Sequence, residues 1–464
     1  MKYTDHNTVE DLKIAYIGGG SKGWAWGLMS DLANSGDLSG HVDLYDIDRE
    51  AVERNAIIGN KYNDHPDCKS RWDYSVADTL EQALTGADFV VVSILPGTFD
   101  EMQSDVHAPE KYGIYQSVGD TTGPGGVMRA LRTIPQMEVI AKAVKACCPK
   151  AWVINYTNPM AICVKALYDT FPEIRAFGCC HEVFGNQALM REMLKELRGI
   201  EGVNRRDIKI NVLGVNHFTW ITEATWRGMD LFPIYREFCE KYIEDGYSST
   251  TLEDWHNSPD ANHRKVKMDL FLRYGWMAAA GDRHLAEFCP SSWYMKNEEH
   301  AHSWGYTLTP VSWRKKRQEK RVASGIKKAN GEEPIKIKQT GEEGVMQMRA
   351  LLGLREMVTN VNLPNRGQIP NLPLGAVVET NAVFRDGCLT PVFAGEIPVE
   401  IEALISRIAN AQLLLAEAGR ERDLEKAFLA FINDPQVNLP FDQARKLFDE
   451  MVENTKGYLA EYFK

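Results

Sequence analysis

The stretch Lys13-Ile14-Ala15-Tyr16-Ile17-Gly18-Gly19-Gly20-Ser21-Lys22-Gly23 decides the fold, and a helical pattern follows it from Trp24 to Asn34. A short apolar run enters a G-x-G-x-x-G turn, and a helix leaves it. That context separates the motif from a chance cluster of glycines, because it brings a helix N-terminus against the phosphates of a dinucleotide. Gly18 permits the tight turn, Gly20 the close approach of the diphosphate and Gly23 the packing of helix on strand, with Ser21 inside the contact region. Asp46 ends the next strand, 23 residues beyond Gly23, where a carboxylate accepts hydrogen bonds from both ribose hydroxyls. The acid favours NAD over NADP. The alternative is a glycine-rich turn that holds no ligand.

Outward from this unit, short apolar runs alternate with helical patterns, as in parallel strands joined by crossover helices. The strands expected are Lys13–Ile17, Val42–Asp46, Phe89–Ile94, Trp152–Tyr156 and Ala176–Cys179, whose continuous apolar character suits burial on both faces. After Cys180 the rhythm changes. Asp207–Gly214 and Phe218–Trp226 read as an antiparallel pair covering one edge of the sheet, and helices follow at Lys265–Met277, Val345–Thr359 and Val399–Ala418. The basic segment Arg314–Lys338 reads as a solvated helix and loop. The fold expected is α/β: a Rossmann-type doubly wound parallel sheet over residues 1–205, then a mixed α+β, helix-rich domain over 206–464.

The chain has 464 residues, 44% hydrophobic and 25% charged, so a sizeable core is available. Its formal net charge of −11 argues against a nucleic-acid or anionic-membrane partner and leaves a small molecule as the better expectation. The polar start of the chain lacks a secretory pattern and no run of about 18 apolar residues occurs, so a cytoplasmic protein is expected. Nine cysteines, an odd number with two adjacent pairs, fit a reducing compartment.

In open parallel sheets the ligand lies beyond the carboxyl ends of the strands, so polar residues there carry weight. The third strand runs into Ser93-Ile94-Leu95-Pro96-Gly97, the fourth into Asn155-Tyr156-Thr157-Asn158-Pro159, the fifth into Cys180-His181-Glu182. The next strand ends in Asn216-His217. Cys180 and His217 have the ligand chemistry for a metal, although from spacing alone a buried thiol and a backbone-satisfied imidazole are the better reading. Gly119-Asp120-Thr121-Thr122-Gly123-Pro124-Gly125-Gly126 precedes a helix expected from Val127, which carries Arg129 and Arg132. It reads as an anion-friendly helix start, a mobile cover, or an ordinary surface loop.

The turn Gly18–Ser21, Asp105 with Pro109 and Lys111-Tyr112-Gly113, Gln116 followed by Thr121–Gly126, Asn155–Pro159, Cys180–Val183, Gly214–Phe218 and Asn365 through Glu379 occur together in this order. The set resembles the NAD- and manganese-dependent glycosidases of glycoside hydrolase family 4. Cys180-His181-Glu182-Val183 and the stretch from Asp105 to Asp120 resemble its α-galacturonidase branch. Many phosphoglycosidase members carry an Arg three positions before Asp105. Met102 stands there in this chain, which disfavours a 6-phosphosugar.

The resemblance implies a dehydrogenase-like fold of the lactate/malate type and a hydrolase that works by redox steps instead of paired carboxylates. NAD takes hydride from C3 of the sugar, a base removes the acidified C2 proton, the aglycone leaves from C1, water adds, and the hydride returns. It further implies Cys180 and His217 as manganese ligands, Tyr274 as the base and His181 as proton donor or substrate-orienting residue. Asn158 and Arg129 would meet the sugar, and Arg283 with His284 its carboxylate. Gly18, Gly20, Ser21, Gly23, Asp46, Pro96 and Asn155 would hold NAD. The substrate implied is a small uronide or oligosaccharide, foremost an α-D-galacturonide, and the assembly a homodimer or homotetramer. Rivals are an α-glucuronidase or α-galactosidase of the same family, an NAD-dependent 2-hydroxy acid dehydrogenase, and a non-catalytic NAD-sensing protein.

Overall fold

The computed structural model describes residues 1–4, 7–248 and 258–464. Its central sheet runs, strand by strand, Cys388–Pro391, Val377–Arg385, Met357–Pro364, Arg175–Gly178, Trp152–Asn155, Phe89–Val92, Val9–Ile17, Leu38–Tyr45 and Trp72–Val76. The six strands from Arg175–Gly178 to Trp72–Val76 are all parallel. Chain order reverses on either side of Val9–Ile17, which opens a crevice at the carboxyl ends. Along that strand Ile14 and Tyr16 enter one core while Ala15 and Ile17 enter another, so both faces are buried. One face is covered by the helices Gly123–Cys147 and Met160–Thr170 together with the C-terminal helices Val399–Glu421, Leu424–Ile432 and Phe441–Asn454. The other is covered by Trp24–Ala33, Arg49–Lys61 and Gly344–Leu351. This is the doubly wound sheet expected.

Four readings need correction. Asp207–Gly214 and Phe218–Trp226 do pair antiparallel, as Lys209–Val215 with Phe218–Trp226, but they belong to a second, four-stranded sheet with Met229–Asp230 and Met277–Ala278. The edge of the main sheet is extended instead by Met357–Pro364, which meets Arg175–Gly178 through the single pair Asn362↔Gly178 and pairs fully with Val377–Arg385. The main sheet therefore draws strands from both sides of residue 205. The helix expected over Val345–Thr359 stops at Leu351; Gly353 turns the chain at φ +75, and the β-branched Val358, Thr359 and Val361 continue as strand. Finally, the basic segment is mostly one helix, Val311–Asn330, and it is not simply solvated: Val311 and Gly325 are buried, and a Cβ on Gly325 would stand 3.0 Å from the Trp26 ring. No helix among the described residues is long and apolar enough to cross a membrane.

Candidate active site

The glycine turn sits in the crevice, wedged between neighbouring strand ends. Gly18 and Gly19 both donate to Tyr45 O, at 2.9 and 3.0 Å, and Gly18 adopts φ +90 with Ser93 O only 2.1 Å from where a Cβ would stand. Any side chain would break this turn. Asp46 accepts from the N–H of Gly20 at 2.8 Å and of Asp48 at 3.0 Å, which fixes its carboxylate at the strand end. Asn55, from the helix Arg49–Lys61, braces the turn: its amide donates to Gly19 O at 2.7 Å and Ser21 O at 3.0 Å and accepts from Trp26 Nε1 at 2.8 Å.

Two cofactor-site expectations change. Gly19, not Gly23, allows the turn to lie against the sheet, since its Cβ would be 2.8 Å from Leu44 Cβ; the open side of Gly23 faces Arg321. Asn155 is fully buried, and its amide is consumed inside its own turn, donating to Thr157 O at 3.0 Å and accepting from Thr157 N at 3.2 Å. It shapes the turn that presents Asn158. Pro96 stays at the rim, its carbonyl 3.5 Å from Arg132 Nε.

Beside this turn, residues far apart in sequence converge. Ligand atoms of Asp120, His217 and His284 all lie within 4.8 Å of one another. His217 occupies the sharp turn between its two strands at φ +64, a strained conformation for a residue with a Cβ, and its Nδ1 is 2.9 Å from Thr121 Oγ1. Its ring stacks on that of His284, centroids 3.9 Å apart. Burial, then the neighbouring His284, pushes His217 down to about 3, so it is a neutral imidazole at physiological pH. Burial opposes the Asp120 charge, but Arg129, His284 and His217 outweigh it and hold the carboxyl well below the usual range. Among the described residues His284 Nδ1 and Asn158 Oδ1 are buried without a hydrogen-bond partner, and Asn158 Nδ2 reaches Asp120 Oδ2 at 3.4 Å. Neutral imidazoles, an ionised carboxylate and orphaned acceptors fit a divalent cation and the hydroxyls of a ligand.

The loop carrying Asp120 is a built element, not the cover or surface loop considered from sequence. Glu287 Oε1 accepts from Val118 N and Gly119 N, both at 2.7 Å, and Asp434 Oδ2 accepts from Thr122 Oγ1 and Gly123 N, both at 2.7 Å. The following helix starts at Gly123, four residues earlier than expected.

Cys180 is not in the three-residue cluster, yet a relay of buried side chains ties it to His217. Asn360 Nδ2 donates to Cys180 O at 3.3 Å and to Glu379 Oε1 at 2.6 Å, and Glu379 Oε2 accepts from the Asn216 amide at 3.1 Å. Burial first, then Glu379 and Glu182, raise the Cys180 thiol well above its ordinary value. Glu182 accepts from Gly281 N at 2.7 Å and lies 3.9 Å from His284 Nε2; burial opposes its charge, but His284, His217 and His181 keep it ionised down to about 2. His181 pairs with Glu342 at 3.0 Å, which raises its pKa to about 9.

Cations line the other side. Arg129 Nε donates to Asn158 O at 3.1 Å. Arg283 Nη1 donates to Thr309 Oγ1 at 2.8 Å, and Arg314 Nε to Thr309 O at 3.1 Å. Neither of these two has a carboxylate partner among the described residues. Arg314 also reaches Met102 Sδ at 3.7 Å, so a guanidinium approaches the position where the phosphoglycosidase pattern carries its Arg. Tyr274 ends the helix Lys265–Tyr274 edge-on to Trp220, centroids 6.3 Å apart. Burial, then Cys289, raises its hydroxyl above 10 and Arg273 offsets only part, the reverse of the lowering a base requires. Asp120, Glu182 and Arg314 carry no spacing signal; only the glycines flanking Asp120 mark a buried approach.

Fold and site together define a dinucleotide-type α/β enzyme with a cation-ready cluster in its crevice. A family 4 glycosyl hydrolase model matches residues 13–196, and the family 4 glycosyl hydrolase C-terminal domain matches residues 212–437. The chain belongs to glycosyl hydrolase family 4. It is 56% identical over 459 residues, 99% of this chain and 98% of the relative, to an alpha-galacturonidase of Thermoanaerobacterium saccharolyticum. It is 49% identical over 450 residues, 96% and 98% of the two chains, to an alpha-galacturonidase of Bacillus subtilis. A solved 6-phospho-alpha-glucosidase from gut microorganisms, in complex with NAD and glucose-6-phosphate, superposes with a TM-score of 0.81 at 25% identity, covering 97% and 99% of the two chains.

Proposed function

We propose that this enzyme hydrolyses α-D-galacturonides with NAD and a divalent cation, Mn²⁺ foremost, as its cofactors. Near-full-length identity of 56% to an alpha-galacturonidase carries the reading. The site agrees with it: Arg283 and Arg314 meet at Thr309 with no ion pair to a described carboxylate, and a sugar carboxylate supplies one. Bound NAD⁺ supplies a hydride acceptor for a secondary alcohol of the sugar, and the divalent ion a Lewis acid for its oxygens.

The chain's own residues do the rest. His217 and Cys180 are the proposed metal ligands, joined here by Asp120 and His284, and the Asn360–Glu379–Asn216 relay holds the first two in register. Asn158 offers its orphaned Oδ1 to a sugar hydroxyl, and Arg129 fixes the backbone of that residue. His181, kept protonated by Glu342, donates to the departing glycosidic oxygen. Tyr274 is the proposed base for the C2 proton, a role that needs the loaded site to supply the positive charge its protein surroundings lack. All nine cysteines are free thiols, which supports a cytoplasmic setting, and a homodimer or homotetramer is the proposed assembly.

The reduced protein incubated with NAD, Mn²⁺ and p-nitrophenyl α-galacturonide should release the aglycone, and a C2-deuterated substrate should lose its label to ordinary water. Tyr274→Phe should abolish both. Release that ignores NAD and survives Cys180→Ser overturns the mechanism, whereas preference for the α-galactoside overturns the uronide assignment alone.

A further inference from the structure

The dinucleotide turn has a neighbour from the far half of the chain. A Cβ built on Gly23 would stand 3.2 Å from Arg321 Nη1, 3.3 Å from its Cζ and 3.7 Å from its Nη2, so the guanidinium lies flat against the turn. Gly23 has φ +139 and caps the helix Trp24–Ala33 without any side-chain capping bond, leaving the N–H groups of the first helical turn free for a ligand. A residue with a side chain at 23 would be strained and would push the guanidinium away.

Arg321 itself is unusual in its surroundings. It is half-buried, and no described carboxylate or carbonyl forms a hydrogen bond or ion pair with it. Its charged neighbours are Arg317, which repels it, and Asp260, which lies 3.7 Å from Arg317 Nη1. Arg314, Arg317 and Arg321 fall at i, i+3 and i+7 on the helix Val311–Asn330, and so share one face. That face starts at Thr309 and Val118 beside the proposed sugar site and ends at the glycine turn. A half-buried cation without an ion pair among the described residues, held against a helix N-terminus, leaves two unsatisfied positive ends facing each other. An anion between them resolves both.

We infer that Arg321 is a phosphate-binding residue of the dinucleotide site, its guanidinium pairing with the diphosphate of NAD at the Gly18–Gly23 turn. The inference rests on the dinucleotide reading above. It gives Gly23 a purpose the glycine motif alone does not, namely room for a guanidinium. It also makes the helix Val311–Asn330 a part of the cofactor site instead of a surface feature.

NAD⁺ binding to the full-length protein, measured by calorimetry without substrate or metal, tests it. Arg321→Gln should raise Kd roughly tenfold or more while leaving the melting temperature of the cofactor-free protein unchanged. Arg321→Lys should recover part of the affinity, because the charge returns without the planar fork. The wild-type Kd should also climb more steeply with salt than that of Arg321→Gln. A Kd raised less than about threefold in Arg321→Gln, or equal salt slopes, overturns the inference. Failure of the wild type to bind NAD⁺ overturns the dinucleotide reading instead. If Arg321→Gln is unstable, the Lys variant and its salt slope decide between the same outcomes.

Discussion

The imidazoles of His217 and His284 stack with their centroids 3.9 Å apart and their planes 27° from parallel, although 66 residues separate them in the chain. Two cationic rings would repel at this distance; two neutral ones present lone pairs to a common point, with the ionised Asp120 alongside. Removing any one of the three donors should therefore weaken Mn²⁺ binding. Asp120→Asn and His284→Gln are expected to raise the Mn²⁺ dissociation constant roughly 10- to 100-fold, followed by the electron-spin-resonance signal of free Mn²⁺. Cys180→Ser serves as the comparison. Loss of affinity in Cys180→Ser with none in His284→Gln would confine the metal to the pair read from the sequence.

A second prediction concerns the side chain that braces the glycine turn. Asn55 is 1% exposed and makes three hydrogen bonds, two to backbone carbonyls of the turn and one to Trp26. Asn55→Ala takes the side-chain partner from the buried Gly19 carbonyl, the part-buried Ser21 carbonyl and an indole N–H. A loss of about 2–4 kcal/mol in urea unfolding is expected, together with weaker NAD⁺ binding because the turn loses its shape. Asn55→Asp should be worse, since it turns a donor toward two carbonyls into a charge. Unchanged NAD⁺ affinity in a folded Asn55→Ala would show that the bonds to Tyr45 O and Asp46 hold the turn without Asn55.

The glycine turn, the parallel strands and the placement of His217 beyond a strand end were legible because each is a local signal: a motif in context, a run of apolar residues, a polar residue at a strand end. The convergence of residues 120, 217 and 284 was not, because spacing along the chain does not encode which loops meet. His284 entered only as a sugar contact, and Asp120 only as part of a glycine cluster. The strand Met357–Pro364 was hidden by its own chemistry. Its buried positions include Asn360 and Asn362, and Asn360 is satisfied by Glu379 from the neighbouring strand, so the apolar pattern that marks a strand is missing. Arg314 and Arg321 were masked by composition, since they stand among Lys and Arg of which half are indeed exposed.

Arg132 and Asp105 form a two-pronged ion pair, both side chains 2% exposed, which joins the helix Gly123–Cys147 to the helix Phe99–His107. Arg132→Met strands a buried carboxylate, and about 3–5 kcal/mol of stability should be lost. Asp105→Asn removes the opposite charge and should cost a comparable amount. The double variant Asp105→Leu with Arg132→Met should recover much of it, because no buried charge then remains. Chemical unfolding of wild type, Arg132→Met, Asp105→Leu and the double variant forms a double-mutant cycle, and strict additivity would show that the pair does not act as a unit.

The last prediction is a pH dependence. Glu287 is fully buried, and burial outweighs its bonds from Val118 and Gly119, raising its pKa from 4.5 to about 8. Its second oxygen has no hydrogen-bond partner among the described residues, so no donor there compensates a charge. The folded protein then binds one proton more than the unfolded chain between those two values, so stability falls as pH rises through that window and levels off above about 8. Glu287→Gln keeps an acceptor for both backbone N–H groups and removes the titration. Its melting temperature relative to wild type should therefore climb steadily from pH 4.5 to about 8 and then hold constant. Parallel curves for the two proteins across this window would mean that Glu287 is ionised in the fold, and that the loop carrying Asp120 is anchored by a charge instead of a neutral acid.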